Sequence, residues 1–178
     1  LLPPQYMTGD TNQKMDIPRV TILMAVFNAE PFLQESVNSI LNQTLGDFEV
    51  VIVEDKSTDR SLEILKSYHD PRIELVENPV NMGQTVSLMK GISMARGKYI
   101  ARMDADDVCL PHRLQTQVNF LEQHPEISVL GSAVVFFDGK AFRILQASSF
   151  YFNKKFTNTS FSPRNILLKG RMAIGDSE

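Results

Sequence analysis

Short apolar runs alternate with segments of helical period across residues 20–137, and this alternation restricts the fold more than any other feature of the chain. Residues 20–27 are almost uninterruptedly apolar, which marks a strand buried on both faces. Leu33, Val37, Ile40 and Leu41 then recur at helical spacing, with Asn28 placed to cap that helix. Residues 48–53 form a second apolar run ending in Glu54-Asp55. A second helix is expected from Ser57-Thr58-Asp59, with Leu62 and Leu65 facing inward. A short third strand covers 73–76, and Asn78-Pro79 and Asn81-Met82-Gly83 mark a loop. A helix over 86–94 closes at Arg96-Gly97. A strand over 98–103, a helix over 111–123 and a strand over 128–137 follow. Strands and helices alternating at these lengths predict βαβ units and an α/β fold, with a mostly parallel sheet and helices on both faces.

The pattern also sets an expected domain plan. Residues 1–17 contain two prolines and Gly9 without a clear period, and read as a flexible leader. Residues 18–138 form the ligand-binding domain. Past Asp138-Gly139, a predicted turn, residues 140–149 read as a returning strand. Residues 151–178 carry aromatic, polar and basic residues without a sustained period, so 139–178 reads as an incomplete further region.

Composition narrows the function classes. A chain of 178 residues can bury a sizeable core. Its net charge of −3 argues against a nucleic-acid partner. A single cysteine, Cys109, excludes an intramolecular disulfide framework and fits a reducing, cytoplasmic location. Cys109 has no histidine partner at motif spacing and reads as a small buried residue. No apolar stretch approaches the roughly 18 residues of a membrane span, and the leader lacks a signal-peptide core. Peripheral association with the inner membrane face stays open.

The chemistry concentrates where the fourth strand ends. The 100–103 run leads into Asp104-Ala105-Asp106-Asp107. Carboxylates this close repel one another unless a cation sits among them. Hard divalent cations such as Mg²⁺ and Mn²⁺ take a few carboxylates together with substrate phosphates. In an open α/β sheet this strand edge is where ligands bind. Glu54-Asp55 ends the second strand and is expected at the same edge. A carboxylate there accepts hydrogen bonds from a nucleobase or ribose, or it caps the next helix. Asn81-x-Gly83 precedes a helix, where glycine permits close backbone approach and the helix start favours anions, although an ordinary tight turn has the same form. Arg102 is expected to pair with Asp104 ahead of reaching a phosphate. Arg96-Gly97-Lys98 reads as a helix end with solvated charges. His69, His112 and His124 share no ligand spacing. Met82, Met89, Met94 and Met103 read as core filling.

These segments, in this order, resemble the family 2 glycosyltransferases. The likeness runs through Val20-Thr-Ile-Leu-Met-Ala-Val-Phe27-Asn28-Ala-Glu30, Gln43-Thr44, Glu54-Asp55-Lys-Ser57-Thr58-Asp59, Asn81-x-Gly83, Lys90-Gly91, Gly97-Lys98-Tyr99, Asp104-Ala105-Asp106-Asp107 and Pro111-x-Arg113-Leu114. The resemblance implies a Rossmann-like GT-A fold. It implies transfer of a sugar from a nucleotide-diphosphate donor, usually a UDP-sugar, with inversion, Mn²⁺ or Mg²⁺ as cofactor and a glycan or lipid-linked acceptor. Cell-surface glycan or polysaccharide synthesis is the expected setting. Asp55 carries over as the base-contacting acid with Glu54 beside it, Asp106 as the metal ligand and Asp104 as the ribose or metal ligand. Ala25, Phe27, Asn28, Glu30, Asn81, Gly83 and Ala105 complete the expected nucleotide-sugar site. The sequence departs from the family where Ala25 replaces a frequent proline, Lys56 a frequent glycine and Met89 a frequent asparagine.

The family's catalytic base follows well after the acidic motif, often as Glu-Asp before an apolar and basic helix. That element is missing here, and Asp176 is the one candidate near the expected distance. The chain is therefore expected to be truncated on its acceptor side, binding donor but transferring sugar poorly. Two alternatives accompany this reading. A non-catalytic nucleotide-sugar-binding fragment keeps every binding residue. A haloacid-dehalogenase-type phosphatase also places Asp-x-Asp after an apolar run, though on its first strand.

Overall fold

The computed structural model describes residues 17–132 and the backbone of four further strands within 135–169. Four strands form the parallel part of the main sheet. They are β1 (Val20–Val26), β2 (Phe48–Glu54), β3 (Ile73–Glu77) and β4 (Tyr99–Arg102). Helices α1 (Glu30–Leu41), α2 (Ser61–Lys66) and α3 (Gln84–Met94) connect them, and α4 (Arg113–Gln123) follows β4. The remaining strands are β5 (Ile127–Gly131), β6 (Val135–Phe137), β7 (Phe142–Ile144), β8 (Tyr151–Asn153) and β9 (Ile166–Lys169). The main sheet runs β3-β2-β1-β4-β9-β5-β8. Strands β9, β5 and β8 join it antiparallel, while β6 pairs with β7 in a separate hairpin.

Burial explains why the central strands are so apolar. Every residue of β2 is buried, and β1 is buried but for the partly covered Ala25. Leu33, Val37 and Ile40 of α1, Leu65 of α2 and Leu114, Val118 and Leu121 of α4 share one core with Ile22, Met24, Val50 and Ile52. On the opposite face Leu88 and Ile92 of α3 pack on Leu23, Val51, Val53 and Ile100. Helices therefore cover both faces, as the alternation implies.

The structure corrects several boundaries. The expected strand over 128–137 is two strands in two sheets. Strand β7 falls inside the predicted 140–149 return and pairs with β6, so that hairpin is real; the turn expected at Asp138-Gly139 lies outside the described residues. Helix α2 starts at Ser61, because 57–60 form a turn whose polar groups bind the neighbouring turn. Met103 is buried, but Met82 and Met89 are half-exposed and do not fill the core. Among the described residues, no helix is long and apolar enough to cross a membrane.

Strand order locates the site. The chain steps outward from β1 through β2 to β3, then returns to the other side of β1 to make β4. The crevice at such a reversal, outside the carboxyl ends of the strands, is where open α/β sheets hold ligands. The register brings Val26 of β1 beside Glu54 of β2, and Glu54 beside Glu77 of β3. Residues following these strands therefore gather at one edge.

Candidate functional site

A cavity of about 590 Å³ opens at that edge between the ends of β1 and β4. This is a volume suited to a small-molecule ligand. Of the residues expected from sequence, Ala25, Phe27, Asn28, Asp55, Asn81, Gly83, Asp104, Ala105 and Asp106 all line it. Glu30 and Glu54 do not. Asp176 lies outside the described residues. Phe32, Gln84 and Arg102 also line the cavity and were not in the expected site.

The acids after β2 are committed to the protein itself. Glu54 is 1% exposed, and its two carboxylate oxygens accept the backbone N–H groups of Lys56 (3.1 Å) and Ser57 (2.7 Å). It holds a turn in which Lys56 has φ 61, the left-handed region that favours glycine. The substitution of lysine for the family's glycine thus leaves a left-handed backbone in place. Asp55 is 2% exposed. Its Oδ1 accepts Asn78 Nδ2 (2.7 Å) and Met82 N (2.8 Å), and its Oδ2 accepts Gly83 N (2.8 Å). Burial pushes its pKa up, but hydrogen bonds from Met82, Asn78, Gly83 and Ser87 outweigh this and hold the carboxyl below its ordinary value. An ionised carboxylate has about four acceptor directions. Asn78, Met82, Gly83 and Ser87 together use most of these, so the carboxylate is committed first to the protein. Gly83, with φ 84, lets the chain turn from this anchor straight into α3.

The acids after β4 are arranged differently. Arg102 Nη2 meets Asp104 Oδ1 at 2.5 Å, in keeping with the expected pairing. Gln84 Nε2 approaches the same oxygen at 3.5 Å. Asp106 is exposed and lines the cavity. The segment is gripped from behind by Ser36 and Ser39 on the inner side of α1 and by Gln43 just past its end. Ser36 Oγ donates to the Asp104 carbonyl (3.3 Å), and the amide N–H of Cys109 donates to Ser39 Oγ (3.1 Å). Gln43 is buried; its Nε2 donates to the Leu110 carbonyl (2.8 Å) and its Oε1 accepts Leu114 N (3.0 Å). Sequence reasoning missed this grip. Its signal is three polar residues spaced at helical period beside a stripe of apolar ones. Cys109 is buried there, as expected.

The β1 and β2 turns are tied together. Asn28 has φ 51 and does not cap α1 as expected, because in that conformation its amide oxygen accepts Thr58 N at 2.8 Å. The start of α1 is closed instead from the other turn: Ala29 N donates to Ser61 Oγ (2.9 Å) and Glu30 N to Asp59 Oδ2 (3.0 Å). The Glu30 carboxylate accepts Arg60 N (3.1 Å), which explains why it stays out of the cavity.

At the opposite edge, Arg96 is not simply solvated. It donates from its backbone N (2.8 Å) and guanidinium to the buried Glu49, which also accepts the Thr21 hydroxyl (2.6 Å). A Cβ at Gly97 would stand 2.3 Å from Thr21 N, so only glycine admits this approach.

The donor set suits a hard divalent cation. Asp104 and Asp106 offer carboxylate oxygens at the cavity wall. Among the described residues, no group of three His, Cys, Asp or Glu converges. Two carboxylates supplemented by substrate phosphates is the usual arrangement for Mg²⁺ and is open to Mn²⁺.

A Rossmann-like sheet whose strand reversal opens on a cavity flanked by acids from the ends of β2 and β4 is the arrangement in which open α/β proteins hold ligands. The profile of the family described as Glycosyl transferase family 2 matches residues 21–173, and the chain belongs to that family. It is 41% identical over 124 residues to a putative glycosyltransferase, EpsE, of Bacillus subtilis, covering 68% of this chain and 45% of that protein. It is 34% identical over 122 residues to the amylovoran biosynthesis glycosyltransferase AmsE of Erwinia amylovora, covering 66% and 46%. The chain thus spans less than half the length of these relatives. Among solved structures it resembles S. aureus TarS in complex with UDP-GlcNAc, with a TM-score of 0.64 at 24% identity over 69% of this chain and 36% of that one. It also resembles the mannosyltransferase PcManGT of Pyrobaculum calidifontis in complex with GDP-Man and Mn²⁺, with a TM-score of 0.60 at 27% identity over 66% and 35%. The fold is GT-A, and family membership removes the phosphatase alternative.

Proposed function

We propose that the cavity binds a nucleotide-diphosphate sugar and that this chain is the donor-binding part, residues 18–138, of an inverting glycosyltransferase. The observation that carries the proposal is the convergence of Asp55, Asn81, Gly83, Asp104 and Asp106 on one cavity at the strand reversal. Asp55, which lines the cavity, accepts a further hydrogen bond from a nucleobase N–H or ribose hydroxyl, and a base without a matching donor forgoes that contact. Asp106, with Asp104, would hold Mn²⁺ or Mg²⁺. When bound, that cation supplies charge neutralisation for the departing nucleotide. Arg102 and Gln84 meet Asp104 at Oδ1, so its Oδ2 is the oxygen offered to the cation, while Arg102 keeps a positive charge on the cavity wall. TarS with UDP-GlcNAc and PcManGT with GDP-Man and Mn²⁺ support this class of donor. AmsE, named for amylovoran biosynthesis, supports glycan synthesis as the setting, and the cytoplasmic face of a membrane is where this reading puts it. Asp176 remains the candidate base for the acceptor hydroxyl, to be tested as Asp176→Asn.

Calorimetry with UDP, GDP and ADP, each with Mn²⁺ and with chelator, tests the reading. Metal-dependent binding of one base in preference to the others is expected, and Asp106→Ala should remove it. Equal affinity for all three nucleotides, or affinity indifferent to chelator, would overturn it. Binding without turnover of any UDP- or GDP-sugar would leave a nucleotide-sugar-binding module in place of an active transferase.

A further inference from the structure

Asn78 follows β3, is 2% exposed and does not line the cavity. Every polar atom of its side chain is in use. Nδ2 donates to Asp55 Oδ1 (2.7 Å) and to Ser87 Oγ (2.9 Å), and Oδ1 accepts Lys90 Nζ (2.8 Å). Its backbone N donates to the Glu54 carbonyl (2.8 Å), which fixes where the side chain starts. Only an amide fits this place: it must give protons toward a carboxylate on one side and take one from an ammonium on the other. The cation on its oxygen polarises the amide and strengthens the donor facing Asp55.

We propose that Asn78 is a positioning residue for the donor site. It orients the Asp55 carboxylate so that the Met82 and Gly83 N–H groups meet it, and so sets the 81–83 wall of the cavity and the start of α3. The charged and polar groups around it are Asp55 after β2 and Ser87 and Lys90 on α3. The neighbouring Glu77 turns to Lys66 at 2.7 Å. The proposal rests on the cavity being the donor site.

Asn78→Asp tests it, because the shape is kept while a carboxylate replaces the donor. Two carboxylates in contact share a proton and titrate as a pair, with one apparent pKa raised. In this variant, hydrogen-exchange protection of the Met82 and Gly83 amides should hold near pH 5 and fall about tenfold near pH 8, as repulsion rises on deprotonation. The wild type should show no such dependence, and the Ile52 amide reports whether the core stays folded. UDP affinity with Mn²⁺ should fall in parallel, about tenfold relative to wild type across the same range. Lys90→Met, which removes the cation and the hydrogen bond on Asn78 Oδ1 but leaves Asn78 and Asp55 in place, should lower protection at Met82 and Gly83 about threefold without new pH dependence. This second variant decides the matter should Asn78→Asp fail to fold. Protection in both variants that tracks wild type overturns the proposal. If the amides behave as expected but the wild type binds no nucleoside diphosphate, the donor-site reading fails and the positioning of the loop stands.

Discussion

Two pairs of acids stand at the same edge of one sheet and do opposite things. Glu54 and Asp55, at the end of β2, are buried, and their oxygens are met by the N–H groups of Lys56, Ser57, Met82 and Gly83 and by the side chains of Asn78 and Ser87. Asp104 and Asp106, after β4, meet a side-chain arginine and glutamine at a single oxygen, and Asp106 is exposed. The first pair shapes the backbone around the cavity. The second presents its carboxylates to the cavity. Position at a strand's carboxyl end therefore does not by itself make an acid a ligand contact; the decisive quantity is how many donors the protein has already supplied.

Three sets of variants break or sharpen this contrast. Asp55→Ala strands two backbone N–H groups and the Asn78 amide, and should cost about 3 kcal/mol in urea unfolding, since each buried unsatisfied group costs roughly 1–3 kcal/mol. Asp106→Ala should change stability by less than about 0.5 kcal/mol while removing metal-dependent nucleotide binding. Stability losses in the reverse order would abolish the distinction. Glu54→Ala frees two N–H groups of an exposed turn, so a smaller loss of about 1–2 kcal/mol is expected.

Acid should reveal the contribution of Asp55 as well. The Asp55 pKa is lowered in the folded protein, so its contribution is fully present above the ordinary carboxylate value of about 4 and is lost as pH falls below it. Stability measured against pH should drop in that window for wild type and for Asp106→Ala alike, and drop less for Asp55→Ala. A small effect of the opposite sign is expected from Lys56→Gly. It relieves a left-handed non-glycine residue at some cost in chain entropy, so thermal melting should show a gain of up to about 1 kcal/mol. A loss would mean that the lysine side chain stabilises the turn.

The sheet and its helices were legible because burial writes itself as composition: β1 and β2 are apolar on both faces, and α4 shows Leu114, Val118 and Leu121 on one side. The cavity wall was legible where strand ends carry acids. What stayed hidden were hydrogen bonds between segments distant in sequence. Nothing local in Asn78-Pro79 announces a buried amide between Asp55 and Lys90, and Arg96 reads as a solvated residue until Glu49 arrives from β2. The split of residues 128–137 into two sheets depends on β9 entering between β4 and β5, a partner some 35 residues away that no periodicity in 128–137 can report.

The tie between the first two turns bears on how the molecule assembles. The amide groups that open α1 find their acceptors on Ser61 and Asp59, up to 32 residues further along the chain. A helix of twelve residues is marginal in isolation, and this one lacks a local cap. Its beginning is completed only when β2 has docked beside β1 and the second turn has closed over the first. The two leading βα units thus mature as one cooperative block, and during synthesis the amino-terminal strand waits for the second turn to emerge before its own helix has a finished start.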